Sequence, residues 1–416
     1  MVLTIRNFPQ KYAYVILTMI LFTSGTVYSY IYGSLSDAVK IGITLLSVLV
    51  FFMHRNKMIR IESLFQIVLL CLIITIIGII NGSSVSGILV LEFRIIGIFL
   101  FVEYSYHMNV DIFDCLFKVI FVIAVVYLAF YLIFETGIIP FDQIRTRVVL
   151  GNEDRVANRS VIMYTNFYNI YYRWQSTRFF GVWMARNNGP FWEPGNYQIY
   201  LNFALTYYLF HDNNKKNVWI ILLLSSAVIN TTSTMGIIIF CINIILYIIK
   251  SRKSLSKLVI SAIVIISILI LGIHVYVEKI ETQSYAMRAS DSIHIKELFQ
   301  GNYFVGNGYN SGFIKYNSWF ILLADFGIIG GVLLISYLIY LFKISMKDSL
   351  ITALAYMVWL VLSYTGQPII YTNTSVLIMC VITQRYFVNY SSDGNDGNVI
   401  NDMNIRWVKH IRKNNQ

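Results

Sequence analysis

The chain reads as an all-α polytopic membrane protein with about twelve transmembrane helices and two long polar loops on the side away from the cytoplasm. Three observations carry this reading. The first is composition: 57% hydrophobic and 13% charged residues over 416 positions exceed what a water-soluble core can hide. The second is the recurrence of apolar stretches of spanning length, at approximately 12–29, 37–53, 63–80, 85–102, 114–134, 196–210, 217–229, 233–249, 257–275, 317–342, 349–364 and 369–388. None shows the strict alternation of a transmembrane barrel strand. The third is the placement of Lys and Arg, which mark the short connections 54–62, 211–216, 250–256 and 343–348 and leave 81–84 and 366–371 without a cation.

The elements follow in order. Residues 1–134 hold helices 1–5, and the first apolar run follows Lys11 without a small-x-small cleavage site, so it reads as an uncleaved span. With the N-terminus inside, the basic connections 54–62, 211–216, 250–256 and 343–348 and the tail at 391–416 all fall in the cytoplasm. The short connections 81–84 and 366–371 carry no cation and fall outside. So do the large loop at 135–195 and a second polar loop at 276–316. Residues 196–275 hold helices 6–9, in which 217–229 and 233–249 are divided only by the polar run Asn230-Thr231-Thr232-Ser233. Helices 10–12 occupy 317–390.

The large loop carries the strongest functional signal. It contains seven arginines, Arg145, Arg147, Arg155, Arg159, Arg173, Arg178 and Arg186, and no lysine, whereas the cytoplasmic connections mix the two freely. Arginine presents a planar fork that grips phosphate or carboxylate oxygens in pairs, and lysine only a mobile point charge. An arginine-only domain on a membrane protein points to a phosphate-bearing lipid or an acidic glycan. The net charge of +11 is otherwise a topology signal, and nothing argues for nucleic acid.

Four constellations stand out. At 186–195 the sequence Arg-Asn-Asn-Gly-Pro-Phe-Trp-Glu-Pro-Gly breaks the chain at Gly189-Pro190 and starts a helix at Pro194, with Glu193 as its cap and in reach of Arg186. At 301–312 four glycines, Gly306 and Gly308 among them, permit close approach of backbone to a ligand, or equally a turn set between helices. The knot Thr231-Thr232-Ser233-Thr234-Met235-Gly236 suits a tight outer turn. Glu92 and Arg94 lie inside a span, where a charge costs about 2.5–3.5 kcal/mol on insertion scales, so each needs a partner or a watered cavity. Two residues apart, they face different directions. Arg186, Arg288 and Arg94 are thus expected to converge on one diphosphate, while Arg155 and Arg159 sit among Glu153, Asp154 and Asn158 as solvated ion pairs. The four cysteines fall within spans, and the six histidines form no metal-ligand spacing, so no metal and no cofactor is expected.

The order of these motifs resembles the Wzy type of O-antigen polymerase, within the O-antigen ligase and polymerase superfamily. The features are a long outer loop closing in Arg186-x-x-Gly189-x-Phe191-x-Glu193-Pro194-Gly195, the Thr-Ser-Thr-x-Gly turn, a second loop ending in Gly306-x-Gly308, and Gly327-x-x-Gly330 in the next span. Where many relatives have His-Asn, this chain has Tyr316-Asn317. The resemblance implies a GT-C-like fold in a bacterial inner membrane, with both long loops periplasmic. It implies metal-independent transfer of a growing glycan from undecaprenyl diphosphate to a sugar hydroxyl of a new undecaprenyl-diphosphate-linked oligosaccharide. Arg186, Glu193 and Arg288 would serve the chemistry. Arg94, Arg178, Tyr316, Asn317, Gly306 and Gly308 would bind substrate. Membrane lipid and a chain-length regulator protein would be its partners. A lipid-linked oligosaccharide flippase or transporter and an O-antigen ligase are the alternative readings.

Overall fold

The computed structural model describes residues 8–31, 33–53, 61–138, 145–148, 162–167, 171–173, 175–179, 182–211, 216–251, 277, 303–309, 311–312 and 317–394. The described helices are α1 (Phe8–Phe22), α2 (Val27–Ile31), α3 (Gly33–Met53), α4 (Ile61–Ile80), α5 (Val85–His107), α6 (Ile112–Glu135), α7 (Pro194–Phe210), α8 (Val218–Asn230), α9 (Thr234–Lys250), α10 (Ser318–Met346), α11 (Leu350–Gly366) and α12 (Asn373–Gly394). Five contain segments long and apolar enough to cross a bilayer: Ser34–Met53, Ser63–Ile80, Val85–His107, Ile112–Glu135 and Ser318–Met346. The protein is a helical membrane protein. Its outer helices expose large apolar side chains, such as Leu45, Leu49 and Phe52 on α3 and Phe65, Leu72 and Ile76 on α4, which suit lipid rather than water.

The centre is α7. Nearly every one of its residues is buried, and it packs against α6, α8, α9 and α11. Because no face meets lipid, it tolerates Gln198, Asn202 and Thr206 along one stripe, each wholly buried. Asn202 Nδ2 donates to Gln198 Oε1 at 2.9 Å and to the Gly236 carbonyl at 3.1 Å, while Asn243 Nδ2 donates to Thr206 Oγ1 at 2.7 Å. These bonds tie α7 to α9 where hydrocarbon alone would leave the helices free to slide.

Three sequence expectations are corrected. The all-α reading omits five short strands in the arginine loop: β1 (Arg145–Val148), β2 (Ile162–Phe167) and β3 (Tyr171–Arg173) form one antiparallel sheet, and β4 (Ser176–Phe179) pairs with β5 (Val182–Ala185) in a hairpin. Hydropathy windows sized for helices pass over strands this short. The first span is not one helix from 12 to 29. It ends at Phe22, and a turn with Gly25 at φ 90° leads to the short α2. The span at 317–342 is likewise interrupted, at Gly327 with φ 57° and ψ −146°.

That interruption explains the glycine-rich loop. Ile328 N donates to the Tyr303 carbonyl at 2.8 Å, and Asn307 N and Gly308 N donate to the carbonyls of Ala324 and Asp325 at 2.8 and 3.0 Å. Backbone groups freed by the break are therefore satisfied by loop backbone, a requirement at membrane depth. Gly306 and Gly308, both with positive φ, make this docking sterically feasible. A Cβ on Gly306 would lie 2.5 Å from the Asp325 carbonyl carbon, and one on Gly308 2.4 Å from Ser83 Oγ. Their demand for close approach is met by the protein's own backbone and side chains.

Candidate functional site

Most features singled out in the sequence gather at one end of the bundle, where six connections meet: 23–26, 81–84, 186–193, 231–233, 303–312 and 367–372. Trp192 N donates to the Gly25 carbonyl at 3.0 Å, Val27 N to the Pro190 carbonyl at 2.9 Å and Asn187 N to the Asn230 carbonyl at 2.8 Å, so the segment 186–193 is stitched to two neighbours. At the opposite end Asp111, the side-chain cap of α6, pairs with Arg385 at 2.9 Å and lies 3.7 Å from His211.

Arg94 sits roughly nine residues, about 13 Å, along α5 from its start and reaches across to α12. Its Nε donates to Asn373 Oδ1 and its Nη2 to the Tyr371 carbonyl, both at 2.7 Å. Asn373, 1% exposed, is held in turn by donating from Nδ2 to Thr23 Oγ1 at 2.7 Å. Both oxygens on Arg94 are neutral. Among the described residues no carboxylate lies within ion-pair distance of it, and Asp37 acts on it only at longer range, so its immediate partners are dipoles. Glu92, two residues away, faces α4 and accepts a hydrogen bond from Thr75 Oγ1, lining an apolar groove of about 320 Å³ with Cys71, Leu72 and Phe99. The two intramembrane charges thus have separate partners, as their spacing on one helix requires.

Above Arg94 stands a polar wall that sequence reasoning missed. Asp325, 2% exposed, accepts from Tyr371 Oη at 2.6 Å on one oxygen, and from Ser311 Oγ at 2.6 Å and Ser311 N at 3.3 Å on the other. Tyr371 meets Tyr309 edge to face at 4.9 Å between centroids. Burial raises the Tyr309 phenol above its ordinary range, an effect that Arg94 opposes and Asp325 reinforces; burial followed by the Asp325 charge pushes Tyr371 well above it. Both phenols are therefore neutral donors. The rule that flags Arg94 as a costly charge within a span applies equally to Asp325 inside 317–342 and could have found it.

Arg186 is placed differently. Its Nε donates to the Thr231 carbonyl and to Thr232 Oγ1, both at 3.1 Å, its Nη1 to Gln175 Oε1 at 3.2 Å and its Nη2 to the Thr232 carbonyl at 3.4 Å. The Thr231–Thr232 turn, in which Thr232 takes φ 46°, is thereby pinned to the base of the β4–β5 hairpin. Arg186 and Arg94 share no partner among the described residues. Glu193 occupies the cap position of α7, but only its backbone carbonyl serves there, accepting from Asn196 N at 3.0 Å and Tyr197 N at 3.2 Å; the expected side-chain cap is not formed. Glu193 is half-buried.

Asn317 caps α10, its Oδ1 accepting from Trp319 N at 3.0 Å and Phe320 N at 3.3 Å, which accounts for it structurally. Arg178 lies in β4 opposite Trp183. Arg288, Tyr316, Arg155 and Arg159 lie outside the described residues. Among the described residues no group of three or more His, Cys, Asp or Glu side chains has the arrangement of a metal site. Comparison with protein-family models, curated proteins and solved structures finds no match to this chain.

Proposed function

We propose that the protein is a membrane-embedded glycosyltransferase that polymerises polyprenyl-diphosphate-linked glycan repeats, transferring the growing chain to a sugar hydroxyl of a newly arrived unit. The connections gathered around Arg94 are taken as the outer, periplasmic face. The observation that carries this reading is Arg94: a guanidinium within a span whose hydrogen bonds, among the described residues, go only to neutral oxygens of Asn373 and Tyr371. A charge maintained at that cost with no ion-paired carboxylate among the described residues suits an anionic ligand, and a diphosphate supplies oxygens matched to the fork. Tyr309 adds a neutral hydroxyl beside it.

In this reading Arg94 and Tyr309 hold the donor's diphosphate and oppose the negative charge that grows on it as the glycosidic carbon–oxygen bond breaks. The acceptor hydroxyl attacks the anomeric carbon and yields its proton to a base, for which the half-buried Glu193 is the candidate. Arg186 keeps the arginine loop seated on the bundle, while Arg288 remains the candidate second cation on the diphosphate. The resemblance to O-antigen polymerases and the arginine-only loop support the same assignment. A transporter reading draws on the break at Gly327, since broken helices often carry transport sites. The groups freed there are bonded to 303–308, however, rather than left for a solute.

The test is reconstitution of the purified protein in liposomes with a defined undecaprenyl-diphosphate-linked repeat. The expected result is a ladder of lipid-linked polymers, formed without nucleotide sugar and unaffected by EDTA. Folded protein that yields no ladder, or a ladder that requires a nucleotide sugar, overturns the proposal.

A further inference from the structure

Beside the Arg94 site the first turn of α7 carries a second polar feature of different chemistry. Gly195 packs so closely on Gln367 that a Cβ there would lie 1.8 Å from its Nε2. Gln367 is 5% exposed, and its Oε1 is buried without a hydrogen-bond partner. On the other flank of the same turn Asn196 lies against Gly25, its Nδ2 being 3.2 Å from where a Cβ would stand, and its Oδ1 is likewise buried and unpartnered. Glu193 does not cap this turn with its side chain. Among the described residues the Gly195 amide therefore has neither an intrahelical acceptor nor a capping one.

Two amides, an uncapped N–H and a carboxylate thus surround one helix start. The set is mixed: each amide offers both a donor and an acceptor. An anion is disfavoured by the two orphan oxygens and by Glu193. A neutral hydroxylated ligand is matched, because a hydroxyl also donates and accepts. We infer that the cradle formed by Gly195, Asn196, Gln367 and Glu193 binds sugar hydroxyls of the glycan, separately from the diphosphate. This rests on the proposed transferase function for the identity of the glycan. Its placement fits one ligand spanning both sites: Gln367 opens the connection whose Tyr371 carbonyl holds Arg94, and Asn196 abuts Gly25, two residues past the Thr23 that orients Asn373. Trp192, Glu193 and Asn196 are half-buried.

The test uses purified full-length protein in detergent and two probes. One is the free repeat oligosaccharide, released by mild acid from the lipid-linked glycans of the cells that make the protein. The other is undecaprenyl diphosphate without sugar. Saturation-transfer NMR should show the oligosaccharide bound to the unaltered protein, about 10-fold weaker binding in Gln367→Leu, and several-fold weaker binding in Asn196→Ala. Both variants should stay monodisperse and bind undecaprenyl diphosphate unchanged. Should Gln367→Leu fail to fold, Asn196→Ala and Gln367→Glu carry the comparison. Absence of oligosaccharide binding to the unaltered protein, or equal binding by folded variants, overturns the cradle and leaves its amides to ordered water only. Oligosaccharide binding that depends on the amides, without diphosphate binding or polymer, keeps the cradle and removes the transferase reading. Polymer formation without oligosaccharide binding does the reverse.

Discussion

Arg94 and Arg186 lie at the same end of the molecule, yet their surroundings assign them opposite work. Arg186 distributes its donors over the Thr231–Thr232 turn and Gln175, joining a loop to a helix connection. Arg94 commits Nε and Nη2 to Asn373 and Tyr371, while its other terminal nitrogen makes no hydrogen bond among the described residues and its charge acts on the Tyr309 phenol. The lesson is that an arginine's role is read from which of its donors the protein has already used. Both types look alike in a sequence.

The largest effect that tests this contrast is expected at Arg94. Lysine there keeps the charge but cannot bond Asn373 and Tyr371 from one planar edge while presenting another to a diphosphate. Losing charge-assisted bonds of about 1.5–3 kcal/mol corresponds to a fall of about 10- to 100-fold in the rate constant for polymer formation. Arg94→Lys should show that fall at unchanged membrane level. Initial rates in liposomes measure it, and wild-type rates from Arg94→Lys would remove Arg94 from the site.

Next comes the wall above it. Asp325→Asn leaves Tyr371 facing an amide and weakens three bonds that fasten 303–312 and 367–372 together. The expected outcome is about a 10-fold loss of polymer rate with a thermal midpoint several degrees lower, since a hydrogen bond to a charged group contributes about 1.5–3 kcal/mol. If the thermal midpoint falls and the rate does not, Asp325 is a fastening with no part in holding Arg94's surroundings.

Arg186→Lys should be milder still in rate and visible mainly in stability. Lysine can satisfy only part of the acceptor set at the Thr231–Thr232 turn, so a loss of about 1–2 kcal/mol in stability is expected, with the polymer rate changed by less than about 3-fold. Melting in detergent and initial rates separate the two. From sequence alone Arg186 ranks with Arg94 as a diphosphate ligand; a 100-fold rate loss in a fully stable Arg186→Lys would restore that ranking.

How far the sequence could be read follows from which forces are local. Apolar runs find most of the described helices because burial in lipid depends on composition over some twenty residues, while the run at 257–275 lies outside the described residues. Even the two runs divided only by Asn230-Thr231-Thr232-Ser233 are separate helices, α8 and α9. Arg94 was conspicuous because a charge at that depth is costly wherever its partners lie. Its partners were illegible, Asn373 and Tyr371 being close to 280 residues away in the chain. The glycines at 306, 308 and 327 announced unusual backbone, but only the packed structure shows that they serve one another by docking a loop into a helix break. The unpartnered amide oxygens of Gln367 and Asn196 leave no local signature at all.

The smallest expected effect concerns pH, and it bears on the same wall. Tyr309 and Tyr371 ionise less readily in the folded protein than in the unfolded chain, where a phenol titrates near 10.0, first because they are buried and then because Asp325 is beside them. A folded state that holds its protons more tightly than the unfolded one keeps its full stability below the unfolded value and loses it as pH rises through the folded one. Between pH 7 and 9 neither phenol should contribute any slope to melting temperature or polymer rate. Above about pH 10 the unfolded phenols release protons that the folded ones retain, and the melting temperature should fall. Tyr371→Phe, one titrating group fewer, should make that fall shallower while lowering the plateau, because Asp325 loses a donor. Melting curves from pH 7 to 11 in detergent measure both. An activity limb below pH 9 that Tyr309→Phe or Tyr371→Phe abolishes would mean that a phenolate forms beside Arg94, and the neutral roof proposed over the diphosphate would then be wrong.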